Sequence, residues 1–321
     1  MKDIKQSIKL WYFDNPQREA LHHIILRDVR SHEVAFKGFN RVHRGYSFGK
    51  KYFLTNQLNE RFGNQKSENP LFHMYRSVDY VKIVNPITNK PYSLPDERHI
   101  WGWDFIIDID AEENITLAHQ YSKKIFNFYN DLGVPFSISF SGNRGFHLTI
   151  SWQHLKTNFM PEDYPFMARK LAEFIMNKLQ LTEKIEVEEE GKKKQKWIFD
   201  INQYKEKQMF RVKYSFHADS GKIALSLTKE EFMNFDISIT EPEYIIKNFN
   251  LLERDVPIIN PNGNCEKLIN LFLKENQELY DENKLKLQRE TTILEQKKQS
   301  ILEQINQLPE PHRKEILERL G

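Results

Sequence analysis

The chain is predicted to fold as an α+β domain followed by a helical extension. Two patterns carry that prediction. Between residues 105 and 152 the apolar period runs strand, helix, strand, strand, the β-α-β-β opening of a split βαβ sheet. From Glu266 the composition shifts to Glu, Gln, Lys and Leu with apolar residues seven apart, which is helical spacing. Pro261, Asn262 and Gly263 mark the linker, and residues 1–255 are assigned to the body and 256–321 to the extension. At 321 residues the chain is long enough to bury a sizeable core.

Composition narrows the function classes. With 47 Lys and Arg against 45 Asp and Glu the net charge is +2, so any basic surface for a polyanion must be local. The single Cys265 excludes a disulfide framework and a cysteine-rich zinc site, and fits a reducing compartment. MKDIKQSIKL at the N-terminus contains no long apolar run. Neither a signal peptide nor a membrane span is therefore expected, and the expected location is cytoplasmic.

From Ile4 to Val29 the pattern is helical in two runs, the second opened by Pro16. His22 and His23 lie in that second run. Neighbours on a helix do not face each other, so a structural role is expected rather than a shared metal. Residues 31–48 interleave aromatic and basic side chains, as short strands of a curved sheet do. Such interleaving suits phosphates or bases, and suits an ordinary amphipathic hairpin equally. Residues 53–70 read as a loop or short exposed helix, 74–84 as a strand, and 85–97 as a Pro-rich connection.

The stretch WGWDFIIDID, residues 101–110, is the focus of the chain. Phe105, Ile106, Ile107 and Ile109 are strand formers, and residues two apart on a strand share a face, so Asp108 and Asp110 point the same way. Adjacent carboxylates repel, and the usual compensation is a divalent metal with a preference for hard oxygen ligands. The other reading is a strand ending at the surface in two turn-favouring aspartates. Asn114 then caps a helix with Ala118, Tyr121, Ile125, Phe128, Tyr129 and Leu132 at the 3.6 period and Gly133 as its stop. Residues 136–141 and 146–152 are strands joined by Gly142-Asn143-Arg144-Gly145, whose glycines permit positive φ.

Residues 162–181 read as a helix, and KIEVEEEGKKKQKWIFDI as a hairpin with Gly191 in its turn and opposite charges paired across a solvated surface. Residues 210–227 add a strand, a turn at Ala218 to Gly221, and another strand. In the extension the heptad positions Leu273, Tyr280, Leu287, Leu294, Ile301 and Leu308 are apolar, while their companions Gln277, Lys284, Thr291 and Lys298 are polar, with Ile305 apolar. A two-stranded coiled coil needs both sets apolar. One or two amphipathic helices that pack on the body or a partner, ended by Pro309 and Pro311, are expected instead.

Three elements bear on one site: DID at 108–110, SGNRGFH at 141–147, and the run from Phe199 to Gly221. Over residues 10–240 the chain resembles the catalytic small subunit of archaeo-eukaryotic primases. That family shows a D-x-D strand, an S-G-x-R-G-x-H motif, and a later D-I-N, a basic residue and S-x-H-x-x-[ST]-G. Here these are Asp108 and Asp110; Ser141, Gly142, Arg144 and His147; and Asp200, Arg211, Ser215, His217 and Gly221. The segment H-E-V-A-F with Arg44 is similar to the family's stretch before the catalytic strand. Two departures stand out: Asn143 where many members carry a second basic residue, and Lys213 where a proline commonly stands. The family's zinc-binding knuckle has no counterpart in a chain with one cysteine, so no zinc is expected.

The resemblance implies an archaeo-eukaryotic primase catalytic core, a split βαβ, RRM-like sheet with a flanking N-terminal α/β part. It implies Asp108, Asp110 and Asp200 as catalytic residues holding two divalent ions, Mg²⁺ or Mn²⁺, about 4 Å apart. It further implies nucleotide binding by Ser141, Asn143, Arg144, His147, Arg211, His217 and Arg44. The expected partners are a single-stranded DNA template, NTPs or dNTPs, and a large primase subunit or helicase reached through the C-terminal helices, with no membrane and a nucleoid-associated location. The implied activity is primer synthesis by a DNA-dependent nucleotidyltransferase. A repair or gap-filling polymerase of the same superfamily and a non-catalytic nucleic-acid binding module are the alternatives. Ser215-Phe216-His217 leans towards the replicative type. A metal nuclease would leave S-G-x-R-G-x-H without a role.

Overall fold

The computed structural model describes residues 4–28, 33–38, 42–46, 71–77, 79–81, 100–112, 114–155, 164–189, 192–205, 208–254 and 256–278, with a few single positions beyond. The expected loop at 53–70, the connection at 85–97, Gly191 and most of the heptad stripe after 278 lie outside these residues. What is described is a mixed α/β structure built on antiparallel sheets.

The sheet that carries the D-x-D strand has the order β14-β7-β8-β6, formed by β6 (Phe105–Asp110), β7 (Ser137–Phe140), β8 (Gly145–Ile150) and β14 (Ser226–Leu227). β8 lies between β6 and β7 and is antiparallel to both, so the crossover from β6 to β7 spans an intervening strand. This is the split βαβ arrangement the period pattern predicts. An antiparallel bridge, Ile109↔Phe199, adds residues 198–200 along the outer side of β6. Gln203 Nε2 and Tyr204 Oη both donate to the Ile106 carbonyl, at 3.2 and 2.9 Å, and fasten the chain after this segment to β6.

The crossover helix α3 (Ile115–Leu132) starts and stops where its residues dictate. Asn114 Oδ1 accepts the Leu117 amide at 2.9 Å, and Gly133 ends the helix at φ 72°, where a side chain would be strained. Its buried face, Ala118, Tyr121, Ile125, Phe126 and Tyr129, lies against β8 and β6. Phe126 meets Phe136 edge-on at 5.3 Å and Phe146 meets Phe232 at 5.6 Å, so aromatic packing supports the sheet from beneath the site.

The two turn glycines between β7 and β8 serve different needs. Gly142 has φ 94°. Gly145 has no positive φ; a Cβ there would collide with the Ile109 carbonyl oxygen, so its role is to let β8 approach β6.

The N-terminal part brings a second sheet, β11-β3-β1-β2, from β1 (Glu33–Gly38), β2 (Val42–Tyr46), β3 (Leu71–Ser77) and β11 (Met209–Arg211). The run from residue 100 to 110 divides at the buried Asp104. β5 (Ile100–Trp103) pairs with β4 (Asp79–Val81) before β6 joins the site sheet. Helices α1 (Ile4–Tyr12) and α2 (Arg18–Asp28) match the two predicted runs. From α1, Trp11 Nε1 donates to the Tyr214 carbonyl at 2.9 Å and Tyr12 Oη accepts the Phe216 amide at 2.8 Å, which fixes the S-x-H segment. His22 is buried in α2 and His23 is exposed; burial lowers the His22 pKa, in keeping with a structural residue.

Between β11 and β14 the predicted strand, turn and strand are more broken, with β12 (Phe216–His217) paired to β13 (Lys222–Ile223) around a turn at Gly221, φ 70°. Helices α4 (Trp152–Leu155) and α5 (Phe166–Lys178) follow β8, and β9 (Lys184–Glu189) with β10 (Lys192–Trp197) forms the predicted hairpin. Three short helices follow β14: α6 (Lys229–Met233), a 3₁₀ turn (Ile237–Thr240) and α7 (Pro242–Asn248). Residues 256–278, which the sequence assigns to the extension, join the body. Ile259 bridges Phe136, and the last described helix, α8 (266–278), buries Leu268, Ile269 and Phe272. Phe272 packs on Phe174 at 5.8 Å and Glu275 pairs with Lys178 at 3.0 Å. Among the described residues no helix is long and apolar enough to cross a membrane.

Candidate active site

Strand register sets the carboxylates in a row. The bridge Ile109↔Phe199 puts Asp200 across from Asp108, with the Asp200 amide donating to the Asp108 carbonyl at 3.2 Å and the Asp110 amide donating to Ile198 at 2.9 Å. On the other side of β6, Asp108 is paired with His147 of β8, and His147 with Ser139 of β7. Ser139, His147, Asp108 and Asp200 thus cross the sheet on one face, and directly opposed residues stand about 5 Å apart at Cβ. Asp110 lies two residues along on the same face, opposite Gly145.

Asp110 is enclosed by cations. Its Oδ2 accepts from Lys196 Nζ at 2.9 Å, while its Oδ1 faces Arg144 Nε at 3.1 Å and accepts the Glu112 amide at 3.0 Å. Arg144 also pairs with Glu112, and Lys196 Nζ is 3.9 Å from that same carboxylate. Burial alone would lower the Lys196 pKa, but Asp110, Asp108 and Glu112 outweigh it and hold the ammonium above its ordinary value.

Asp108 is the strained member of the set. Burial, then the charges of Asp110 and Asp200, push its carboxyl up to about 7. His147 Nε2 stands 3.5 Å from Asp108 Oδ1. Burial, then the positive charges of Arg211, Lys213 and Arg76, press the His147 pKa down to about 3, so the ring is neutral at ordinary pH. A neutral imidazole offers one N–H donor and no fixed charge.

The opposite wall comes from the second sheet. Arg211 Nη2 donates to Tyr75 Oη at 2.9 Å, and its guanidinium stacks 4.7 Å from the Tyr75 ring centre. Between the walls is a cleft of about 250 Å³. Asp108, Asp110, Ser141, Asn143, Arg144, His147, Arg211 and His217 all line it. Asp200 flanks it from the row just described. The Ser141 hydroxyl accepts the Gly145 amide at 3.2 Å and closes the turn, and Ser220 donates to the Gly142 carbonyl, tying that turn to the β12–β13 hairpin. Arg44 is on β2, farther off in the sheet; the pairs Arg44↔Ala35, Ala35↔Tyr75 and Tyr75↔Arg211 put it on one row with Arg211, three strands away. The Arg44 side chain lies outside the described residues.

Lys196, Glu112 and Tyr75 belong to this surface and were not singled out from the sequence. Lys196 carried little signal, because β10 ends at Trp197 and the run Trp197, Ile198, Phe199 that leads to Asp200 does not alternate. Tyr75 carried none, because only the β3–β11 pairing brings it to Arg211.

Asp108, Asp110 and Asp200 are the residues that could hold a hard cation. Among the described residues no three acidic or histidine side chains already form a metal cage, and Lys196 and Arg144 occupy Asp110. The donor set nevertheless fits Mg²⁺ or Mn²⁺, because three carboxylates with hard oxygen donors share one face.

No protein-family model matches the chain. An uncharacterized protein of Methanocaldococcus jannaschii is 26% identical to it over 252 residues, 74% of this chain and 54% of that protein. The chain thus spans about half the length of the curated relative it matches.

Proposed function

We propose that the protein is a DNA-dependent nucleotidyltransferase of the primase or primase-polymerase type, which builds short primers on single-stranded DNA. One observation supports this reading: Asp108 and Asp110 of a three-carboxylate row line the same cleft as Ser141, Arg144, His147, Arg211 and His217, side chains from two sheets that are suited to phosphate. A pure binder of polyanions gains nothing from three carboxylates beside the phosphates.

In the reaction a 3′-hydroxyl oxygen attacks the α-phosphorus of an incoming triphosphate, the bond to the β-phosphate bridging oxygen breaks, and pyrophosphate leaves. Divalent ions held by Asp108, Asp110 and Asp200 would activate that hydroxyl and neutralise the charge on the leaving group. The protein's own groups bind and orient. Arg211, its guanidinium fixed by Tyr75, is a placed positive charge. Arg144 offers a planar fork that can exchange Asp110 and Glu112 for triphosphate oxygens. Ser141 and the two histidines supply hydrogen bonds without reading the base, and the turn amides add donors.

The test is gel-resolved synthesis on unprimed single-stranded DNA, with labelled NTPs or dNTPs and Mg²⁺ or Mn²⁺, comparing wild type with Asp110→Ala. Oligomers from wild type alone are expected. Extension only of an added primer would instead make the protein a gap-filling polymerase. No synthesis under either condition, with oligonucleotide binding retained, would make it a non-catalytic module and sink the proposal.

A further inference from the structure

β3 sends two neighbouring side chains to opposite faces of its sheet. Arg76 turns into the body and is buried there, with Nη1 3.0 Å from Asp104 Oδ2 and Nε 3.4 Å from Asp28 Oδ2. Tyr75 turns to the cleft and lines it with Asp108, Asp110 and Arg144. The buried ion pairs of Arg76 thus fix the strand on which Tyr75 stands. Across the sheet the register sets Tyr75 directly opposite Arg211 of β11, so these two side chains share a face. Tyr75 Oη accepts from Arg211 Nη2 at 2.9 Å, and the ring centre lies 4.7 Å from the guanidinium carbon. The stem of Arg211 runs against the turn between β7 and β8, where a Cβ on Gly142 would stand 3.4 Å from Arg211 Cδ.

We propose that Tyr75 is a positioning residue for nucleotide binding, which aims the Arg211 guanidinium at the triphosphate before the nucleotide arrives. The inference rests on the nucleotidyltransferase reading and deepens it by naming the residue that prepares one of its arginines. A guanidinium on a long stem has many rotamers to lose when it takes a phosphate. A hydrogen bond and a stacked ring, both on a strand fixed from behind, settle that loss in advance. The two arginines that line the cleft are held by different chemistry. Arg144 is paired with the carboxylates of Asp110 and Glu112, which compete with phosphate oxygens for its fork. Tyr75 holds Arg211 through a ring face and a phenol oxygen, which orient a cation without a carboxylate's formal charge. Tyr75 lies outside the motifs that carry the primase resemblance, and only the pairing of β3 with β11 brings it to the site.

The experiment uses the full chain with Mg²⁺ or Mn²⁺ and reads equilibrium binding of a labelled nucleoside triphosphate together with kcat for extension of a primed template. Wild type, Tyr75→Phe, Tyr75→Leu, Arg211→Ala and the double variant of Tyr75→Phe with Arg211→Ala are compared, with urea midpoints as the check on folding. Tyr75→Phe keeps the ring and removes the oxygen, and is expected to bind the triphosphate roughly fivefold more weakly, the worth of one hydrogen bond. Tyr75→Leu removes the stack as well, and the loss grows to roughly twentyfold. In both, kcat stays within about twofold of wild type, because the aimed arginine acts on the bound substrate and the transition state alike. In the Arg211→Ala background Tyr75→Phe adds nothing, since it acts through the guanidinium; a merely structural tyrosine would cost the same in both backgrounds. Wild-type triphosphate affinity in a folded Tyr75→Phe, or an undiminished cost in the Arg211→Ala background, overturns the proposal and leaves the transferase reading standing. A wild type that binds the triphosphate but extends no primer overturns the transferase reading, and the binding series still decides for or against Tyr75. A wild type that binds no triphosphate overturns both.

Discussion

Lys196 Nζ stands 2.9 Å from one oxygen of Asp110 while Arg144 Nε stands 3.1 Å from the other. The carboxylate that a divalent ion would need is thus held between two of the protein's own cations. That arrangement lets three carboxylates share a face without an ion, at the cost that an incoming ion must displace them. The displaced Arg144 is then released towards the cleft it already lines.

Lys196→Met keeps most of the stem and removes the charge. The pair is partly open to solvent, with Lys196 30% and Asp110 18% exposed, so the loss of stability in cation-free buffer should be modest, about 1 kcal/mol. Saturating Mn²⁺ should abolish the difference from wild type, because the ion takes over the role of the ammonium. Urea denaturation with and without Mn²⁺ measures this. An identical deficit in both conditions would show that Lys196 does not compete with a cation.

Stability against pH should separate Asp108 from His147. Asp108 moves from 3.8 up to about 7, so the folded state holds its proton where the unfolded state has lost it. Its contribution is full below about 4 and disappears as pH rises through 7. His147 moves from 6.5 down to about 3, so its contribution is full above 6.5 and is lost as pH falls towards 3. The two oppose each other between about 4 and 6.5. Asp108→Asn should therefore remove the loss of stability near pH 7 and leave a steeper loss on the acid side, in metal-free buffer. Denaturation midpoints across about pH 5 to 8 test it; a variant profile parallel to wild type would mean that Asp108 titrates normally.

Gly145→Ala should harm the site more than the fold. The new methyl group would meet the Ile109 carbonyl at the point where Gly145 pairs with Asp110. Relief requires β8 to move away from β6, at a cost of about 1–3 kcal/mol for an overpacked contact. The same movement displaces Asp110 from Arg144, so primer synthesis per folded molecule should fall by more than tenfold. Wild-type synthesis with only a stability loss would show that the β6–β8 spacing does not set the site.

What could be read from sequence divides by range. The caps of α3 at Asn114 and Gly133, and the shared face of Asp108 and Asp110, follow from spacings of two to four residues, and local geometry carried them unchanged into the fold. Gly145 was legible as special but not for the right reason: a turn suggests backbone freedom, and only the neighbouring strand reveals the close approach. Tyr75 was not legible, because its contact with Arg211 joins residues 136 apart through a strand pairing that composition does not encode. The hairpin shows the intermediate case. Its opposite charges suggested mutual pairing, and the register opposes Lys193 to Glu188 and Lys192 to Glu189, yet it sets Lys196 opposite Ile185 and sends it into the site.

Asp28, in the last turn of α2, anchors a buried ion network behind the site. Its Oδ2 accepts the Lys213 amide at 2.9 Å and lies 3.4 Å from Arg76 Nε, and its Oδ1 is 3.8 Å from Lys213 Nζ. Arg76 Nη1 continues to Asp104 Oδ2 at 3.0 Å, and Asp104 Oδ1 accepts the Trp152 amide at 3.0 Å. Lys213 Nζ also donates to Ser137 Oγ of β7 at 3.2 Å. Among the described residues, two cations and two carboxylates meet in this network inside the body and join β3 to the sheet that holds Asp108. Lys213, one of the departures from the primase pattern, is therefore a structural cation in this chain. Asp28→Ala removes the carboxylate that Arg76 and Lys213 share inside the body, and should cost about 3–5 kcal/mol. Glu173→Ala, at the surface pairs with Arg169 and Lys170, should cost about 1 kcal/mol or less. Urea denaturation of both variants decides the matter: similar losses would mean that the Asp28 network contributes no more than a surface pair. Pairing Asp28→Asn with Lys213→Met should recover part of the loss, because the second change removes the cation the first leaves exposed to a low dielectric.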